Sequence, residues 1–188
     1  MIPSILMNAA VVALSVAATA AHGRKAPMRV VLRYYTVLSN LLCAAACLAV
    51  VIARLCGEVP PAVLILKYVG TSAVTVTFLT VMLFLGPFVY DFKLLLTGPD
   101  LWLHLVCPVL AIVSLLLWDS PDAPFGVVFL GALPVPLYGA MYLYRVILAP
   151  PEKRWEDFYG FNRGGKWPLS LVMMVLSAFA VSAVLWVL

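Results

Sequence analysis

The sequence has few charged residues and no segment polar enough to form a water-exposed domain. Only 11% of its 188 residues are charged, 65% are hydrophobic, and the mean hydropathy is +1.10. A soluble domain usually has about a quarter of its residues charged, because it needs a hydrated surface. The scarcity of charge therefore excludes an ordinary soluble fold and predicts a chain that lies in a lipid bilayer.

The sequence also lacks the patterns of metal-binding, disulfide-bonded and nucleic-acid-binding proteins. Its four cysteines, Cys43, Cys47, Cys56 and Cys107, include no CxxC pair and accompany no histidine cluster. Cysteines in apolar runs usually act as small buried hydrophobes, so we expect no metal site and no disulfide framework. The net charge of +4 comes largely from basic residues in short loops, where membrane topology accounts for them, so no nucleic-acid partner is expected.

Six apolar runs approach or exceed the length of about 20 residues that a helix needs to cross a bilayer. Clusters of Gly, Pro and Asp separate the runs, and unclosed strands would leave backbone groups unpaired in lipid. We therefore expect an all-α integral membrane protein, a bundle of six transmembrane helices that forms one domain. The predicted spans are approximately residues 2–21, 34–54, 62–85, 101–118, 125–148 and 167–188.

The first span shares one feature with a signal peptide, because Ala18-Thr19-Ala20 fits a small-residue cleavage pattern. No Lys or Arg precedes this run, however, and the run is long for the apolar region of a signal peptide. We expect a retained span.

The distribution of basic residues predicts the orientation of the chain in the membrane. Cytoplasmic loops carry an excess of Lys and Arg. Only Arg54 and Lys67, near span ends, belong to the other side of the predicted bundle. The odd-numbered loops should therefore be cytoplasmic and both termini outside. The ten basic residues in or beside these loops are Arg24, Lys25, Arg29, Arg33, Lys93, Arg145, Lys153, Arg154, Arg163 and Lys166.

Polar residues inside spans are costly, so they are the first candidates for a functional site. In the second span, Thr36, Asn40, Cys43 and Cys47 have the spacing of one helix face. Asn40 is expected to point into the bundle. Such residues also commonly hydrogen-bond one membrane helix to another, and that structural interpretation remains open.

The fourth span contains His104, which shares a helix face with Cys107 and Ser114. Pro108 lies four residues further along and has no N–H, so the His104 carbonyl should lose its helical partner and the helix should kink. Histidine has an ordinary pKa of about 6.5, near neutrality. A histidine that simply bonds to a neighbouring helix is the alternative.

The predicted topology brings Thr36 and His104 to a similar depth, because both spans enter from the same side. A hydroxyl nucleophile with an imidazole base is the minimum needed for acyl transfer at an ester carbonyl. Ser39 and Asn40 are candidates to orient the ring or to stabilise the oxyanion, and Tyr138 and Tyr142 could line the pocket or anchor the interface. Asp91 and Asp100 are the loop carboxylates that could assist. The aromatic loop from Ala149 to Lys166 is typical of an interfacial anchor.

Three segments resemble motifs of the androgen-induced/androgen-dependent integral membrane family, including its bacterial six-helix relatives. Tyr35-Thr36-Val37-Leu38-Ser39-Asn40-Leu41-Leu42 resembles the family's second-span motif. Leu103-His104-Leu105-Val106-Cys107-Pro108-Val109-Leu110 is similar to its histidine motif, and Pro134-Val135-Pro136-Leu137-Tyr138 to its fifth-span Pro/Tyr motif. The resemblance covers nearly the whole chain in span order and spacing.

The resemblance implies an intramembrane lipid ester hydrolase of a bacterial cell membrane. Animal members of the family hydrolyse fatty acid esters of hydroxy fatty acids with a threonine nucleophile and a histidine base, which match Thr36 and His104 here. The family's aromatic-Pro-aromatic-Phe-Leu-Asp stretch is present only as Trp155-Glu156-Asp157-Phe158-Tyr159. The motifs fix the attacking group and not the acyl chain, so the substrate can differ.

Two other functions remain open. The chain could be a non-catalytic membrane protein, such as a small transporter or assembly factor, or an acyltransferase in which a lipid replaces water as the acceptor. A transporter would more often show paired charges, broken helices or an internal repeat, and none is evident in the sequence. The hydrolase hypothesis requires no cofactor and no metal. Its expected partners are membrane lipids and a lipid ester substrate, and no protein partner is indicated.

Overall fold

The computed structural model describes all residues, 1–188, and contains helices, turns and loops but no strands. Six helices are long and apolar enough to cross a membrane, which confirms the predicted all-α, six-helix architecture. The chain is a multi-pass integral membrane protein. The helices are α1 (Ile2–Lys25), α2 (Tyr35–Cys56), α3 (Pro61–Phe88), α4 (Pro99–Asp119), α5 (Val127–Leu148) and α6 (Trp167–Val187).

Helix α3 is the centre of the bundle and packs against α2, α4, α5 and α6. Gly70 permits a close approach to α2, because a Cβ at this position would lie 2.8 Å from the Cα of Cys43. Small residues at such crossings let membrane helices pack without a large hydrophobic driving force. Helix α1 covers the other side of α2 and also packs against α4. The polar faces of α2 and α4 therefore meet inside the bundle.

Helix α4 departs from α-helical geometry around His104. Residues Trp102–Val106 form a π-helical segment in which the Cys107 N–H donates to the Trp102 carbonyl, five residues back. Pro108 cannot donate to the His104 carbonyl, so the regular ladder is already broken at this point. Single π turns of this kind occur frequently at functional sites.

One end of the bundle contains an ion pair with a buried carboxylate, which the sequence did not predict. Asp119 is completely buried at the end of α4, one residue beyond the predicted end of the fourth span. Its carboxylate accepts hydrogen bonds from Ser4 Oγ at 2.8 Å, Asn8 Nδ2 at 2.7 Å and Arg54 Nη2 at 3.1 Å. These three donors offset the cost of burying the charge and tie α1, α2 and α4 together.

Lys67 also differs from its expected position near a span end. It lies in the second turn of α3 and is 0% exposed, with its side chain directed towards the middle of α2. A long side chain allows a residue near the end of a helix to place its amine deep in the bundle.

Candidate active site

A cavity of about 370 Å³ lies at the end of the bundle that contains the odd-numbered loops. The ends of α1, α2 and α4 form its walls, and the α3–α4 and α5–α6 loops close over it. Its lining is mainly apolar, which suits an acyl chain, with a few polar groups among the walls. The polar or aromatic lining residues are His22, Lys25, Tyr34, Thr36, Tyr90, Asp100, His104, Phe158 and Tyr159.

Thr36 lies in the first turn of α2, and its side chain is one of those that line the cavity. The connection before α2 contains a short helical segment, Met28–Val31, which begins after Pro27. The Thr36 hydroxyl lies beside the phenol of Tyr159. The residue is only partly buried.

His104 lines the same cavity from the π-helical segment of α4. Its Nδ1 is 2.7 Å from the carbonyl oxygen of Leu95 in the α3–α4 loop. A carbonyl only accepts hydrogen bonds, so Nδ1 must carry the proton in the neutral ring and Nε2 keeps its lone pair. This arrangement leaves Nε2 able to accept a proton from a nucleophile.

Asn40 joins the two helices that carry Thr36 and His104. Its Nδ2 donates to the Thr36 carbonyl at 2.8 Å and to the Leu103 carbonyl at 3.0 Å, and the residue is completely buried. Both amide hydrogens are therefore committed to backbone carbonyls. Asn40 therefore has no amide hydrogen left to donate to a group in the cavity.

The other three predicted pocket residues do not line the cavity. Ser39 shares a 2.8 Å hydrogen bond with the Thr77 hydroxyl and so connects α2 to α3. Tyr138 donates to the Arg33 carbonyl at 2.7 Å, and Tyr142 donates to Asp157 Oδ1 at 3.1 Å. These tyrosines anchor the loops around the cavity.

The α5–α6 loop contributes a cavity residue that the sequence analysis assigned only to interfacial anchoring. Asp157 organises this loop by accepting hydrogen bonds from the backbone N–H groups of Phe161 at 2.8 Å and Asn162 at 2.7 Å. Tyr159 then reaches the start of α2, where its hydroxyl accepts from the Tyr35 N–H at 2.9 Å. The same hydroxyl also lies within hydrogen-bonding reach of the Tyr138 and Thr36 side chains.

The surroundings of Tyr159 keep its phenol protonated. Burial raises the pKa of Tyr159 to about 12, although hydrogen-bonding contacts with Tyr35, Tyr138 and Thr36 lower it in part. A phenol with this pKa is neutral at physiological pH and acts as a hydrogen-bond donor. Tyr90 holds the loop from the other side by donating to the Phe158 carbonyl at 2.7 Å.

A second histidine lines the cavity near its mouth. Helix α1 continues to Lys25, so His22 belongs to the last turn of a helix and not to a loop. His22 Nε2 lies 3.3 Å from Asp100 Oδ1. Of the two loop carboxylates that we considered, Asp100 thus pairs with His22 and not with His104. Asp91 instead accepts a hydrogen bond from the Lys93 N–H at 2.8 Å at the start of a short helical turn, outside the cavity lining.

The Thr36 hydroxyl and the His104 ring face one cavity, but no hydrogen bond joins them. Catalytic hydrogen bonds are often long before a substrate binds and tighten in the complex. The walls therefore present an alcohol, an imidazole with a free Nε2 and a neutral phenol to the same space, which is a set of groups suited to attack on an ester. The chain matches no protein-family model, no curated protein and no solved structure.

Proposed function

We propose that the protein is an intramembrane lipid ester hydrolase that acts through an acyl-enzyme intermediate on Thr36. The observation that carries this proposal is that Thr36 and His104, from two different helices, line one apolar cavity while the Leu95 carbonyl fixes the tautomer of His104. The motif resemblance described above suggests the same two residues. By the charge distribution, the cavity faces the cytoplasmic leaflet of what we propose is a bacterial cell membrane, and both termini are outside.

In the first half-reaction, the Thr36 oxygen attacks the ester carbonyl and His104 Nε2 takes the hydroxyl proton. The resulting tetrahedral intermediate collapses when the imidazolium returns that proton to the leaving alcohol. Water then attacks the Thr36 acyl ester while His104 takes a proton from the water; the imidazolium returns that proton to the Thr36 oxygen as the fatty acid leaves. No metal or cofactor takes part in these steps.

Tyr159 is the group we assign to the developing oxyanion. Its hydroxyl accepts from the Tyr35 N–H and keeps a proton of its own, and it lies close to the Thr36 side chain. Pre-positioned donors of this kind often provide the largest single contribution to acyl-transfer catalysis. Asn40 acts indirectly, by holding the backbone of α2 and α4 at the correct separation.

The substrate class follows from the lining of the cavity. Apolar side chains such as Leu85, Leu94 and Leu95 suit a fatty acyl chain, and the charged side chains of Lys25 and Asp100 suit the polar end of an amphipathic lipid. Fatty acid esters of hydroxy fatty acids are the first substrates to test, because the resembling family hydrolyses them.

The direct test is hydrolysis of an activated fatty acyl ester by the purified protein in detergent. We expect Thr36→Ala and His104→Ala each to lower turnover by at least about 10³-fold, and the double variant to be no worse, because the two residues act as one unit. Thr75→Ala is the matched control, since Thr75 is a buried threonine of α3 outside the cavity. Wild-type turnover in both alanine variants would refute the Thr36–His104 pair.

The non-catalytic alternative gains one observation from the structure. Lys67 and Asp119 are buried, and Asp119 pairs with the partly exposed Arg54; charged groups of this kind are found in transporters. None of the three lines the cavity, so they do not account for the arrangement of Thr36, His104 and Tyr159. A wild-type protein that is inert towards esters of every chain length would favour this alternative. An acyltransferase would instead transfer the acyl group to an added lipid alcohol.

A further inference from the structure

Lys67 and Cys47 meet in the interior of the bundle, away from the cavity. Lys67 Nζ is 3.1 Å from Cys47 Sγ, and both residues are 0% exposed. The amine comes from α3 and the thiol from the middle of α2, so the contact bridges two helices. The proposed hydrolase does not use either residue.

No carboxylate pairs with this lysine. Asp119, at the same end of the bundle, is committed to Ser4, Asn8 and Arg54, and no salt bridge to Lys67 forms. The surrounding core consists of Val11, Val74, Cys43, Cys107 and Ala111. A lone ammonium at this depth would be costly. The Cys47 sulfur is therefore the hydrogen-bond partner of the buried amine, at 3.1 Å.

We propose that Cys47 and Lys67 form a sulfur–nitrogen bond, a sulfenamide, when the protein is exposed to hydrogen peroxide. The amine takes the thiol proton, and the thiolate sulfur attacks one peroxide oxygen. The second oxygen leaves as hydroxide and receives the proton back from the ammonium, which yields sulfenic acid, water and a neutral amine. The amine then attacks the sulfenic sulfur, the S–O bond breaks, and a second water leaves with an amine proton. The sulfur is oxidised, and peroxide is reduced to water.

The amine is the nearest competent nucleophile for a sulfenic acid at this position. Cys43 Sγ lies 3.9 Å away, but Cys43 and Cys47 are four residues apart on one helix. Their Cβ atoms are then separated by about 5–6 Å, whereas a disulfide requires roughly 3.5–4.5 Å. Lys67, on a flexible side chain from another helix, has no such restriction. Hydrogen peroxide is small and uncharged, so it can enter a bundle that excludes larger reagents.

Peptide mapping by mass spectrometry tests the proposal on the full-length protein in detergent, treated with hydrogen peroxide after Cys56 has been blocked. We expect a cross-linked peptide pair joining Cys47 to Lys67, lighter by two hydrogen atoms than the sum of the separate peptides. Dithiothreitol should reverse it, because a thiol reduces the S–N bond. Cys107, a buried cysteine beside a hydroxyl and no amine, is the internal control and should form no cross-link to lysine.

Lys67→Met removes the amine and keeps an apolar side chain of similar length. In this variant we expect Cys47 to proceed to sulfinic or sulfonic acid, since nothing captures the sulfenic acid. Peptide mapping of the wild-type protein tests the cross-link even if the Lys67→Met variant does not fold. Unmodified Cys47, a Cys43–Cys47 disulfide, or over-oxidation of Cys47 without a cross-link in the wild type would each overturn the proposal.

Discussion

At the scale of single residues, the proposed mechanism depends on the direction in which each hydrogen bond runs. The Leu95 carbonyl can only accept, so it fixes the proton of His104 on Nδ1 and leaves Nε2 free. This carbonyl takes the orienting part that a carboxylate takes in many catalytic triads. The Tyr35 N–H can only donate, so it occupies a lone pair of Tyr159, and the phenolic proton must point to a different acceptor. A backbone carbonyl thus orients the His104 ring, and a backbone N–H orients the Tyr159 hydroxyl.

Tyr159→Phe should lower the turnover number by about 10²-fold, the usual effect of removing one oxyanion donor. The Michaelis constant should change little, because the ground-state ester needs the donor less than the transition state does. Tyr144→Phe is the matched control, since Tyr144 is exposed and does not line the cavity. A fall in turnover that is equal in both variants would remove Tyr159 from the mechanism.

The raised pKa of Tyr159 also predicts the pH dependence of this contribution. Because the phenol loses its proton only near pH 12, it remains a donor between pH 7 and pH 10. The ratio of wild-type to Tyr159→Phe turnover should therefore be constant across that range, as measured by initial rates. A ratio that falls steadily from pH 8 upward would show that the phenol ionises with an ordinary pKa.

That Thr36 and His104 face a common space was predictable from the sequence, because both lie in helices, where residue spacing fixes the face and topology fixes the depth. Tyr159 and His22 were not. The position of Tyr159 depends on a loop that Asp157 shapes through hydrogen bonds to residues further along the chain. His22 lay outside the predicted first span because the apolar run ends at residue 21, whereas the helix continues to Lys25.

At the scale of helices, the site depends on the join between α2 and α4. Asn40 bonds to the carbonyls of Thr36 and Leu103, each within one residue of a proposed catalytic group. The π-helical segment around His104 adds a further constraint, because it sets which residues of α4 face Asn40 and the cavity. A small change in the separation of these helices would alter the distance from Thr36 to His104.

Asn40→Leu should leave a folded protein that has lower turnover. The lost interhelical hydrogen bond should reduce stability by about 1–2 kcal/mol at most, whereas misplacing reacting groups by about 1 Å can cost about 10²-fold in rate. Thermal unfolding and ester hydrolysis in detergent measure the two effects. Asn8→Leu provides the comparison, because Asn8 is a buried asparagine at the opposite end of the bundle. If both variants lose stability and activity in parallel, Asn40 only holds helices together.

The six helices were predictable because apolar length and helix-breaking residues are both visible in the sequence. The contacts in the interior of the bundle were harder to predict from the sequence. The burial of Lys67 depends on the close packing of α3 against α2 at Gly70, and that of Asp119 on donors from α1 and α2. Local residue spacing does not predict either of these contacts, because each joins residues that are far apart in the sequence.

At the scale of the whole molecule, the charge distribution predicts the orientation of the bundle in the membrane. Cys56 is the one exposed native cysteine, at the end of α2 opposite the cavity, and the other three are buried. A membrane-impermeant maleimide added to intact cells should therefore label the wild type at Cys56. Cysteines introduced in the Asp119–Pro124 loop or at either terminus should react from outside when Cys56 is replaced by serine. Labelling of a cysteine in the Ala149–Lys166 loop from outside would reverse the orientation.

The most direct test of the central claim is covalent capture of the nucleophile. A fluorophosphonate probe incubated with the purified protein should form an adduct that peptide mapping assigns to Thr36. Thr36→Ser should still be labelled, since it keeps the hydroxyl and loses only a methyl group. Thr36→Ala should not be labelled, and His104→Ala should react far more slowly because the base is missing. An adduct on another residue, or ester hydrolysis that persists unchanged in Thr36→Ala, would contradict the account.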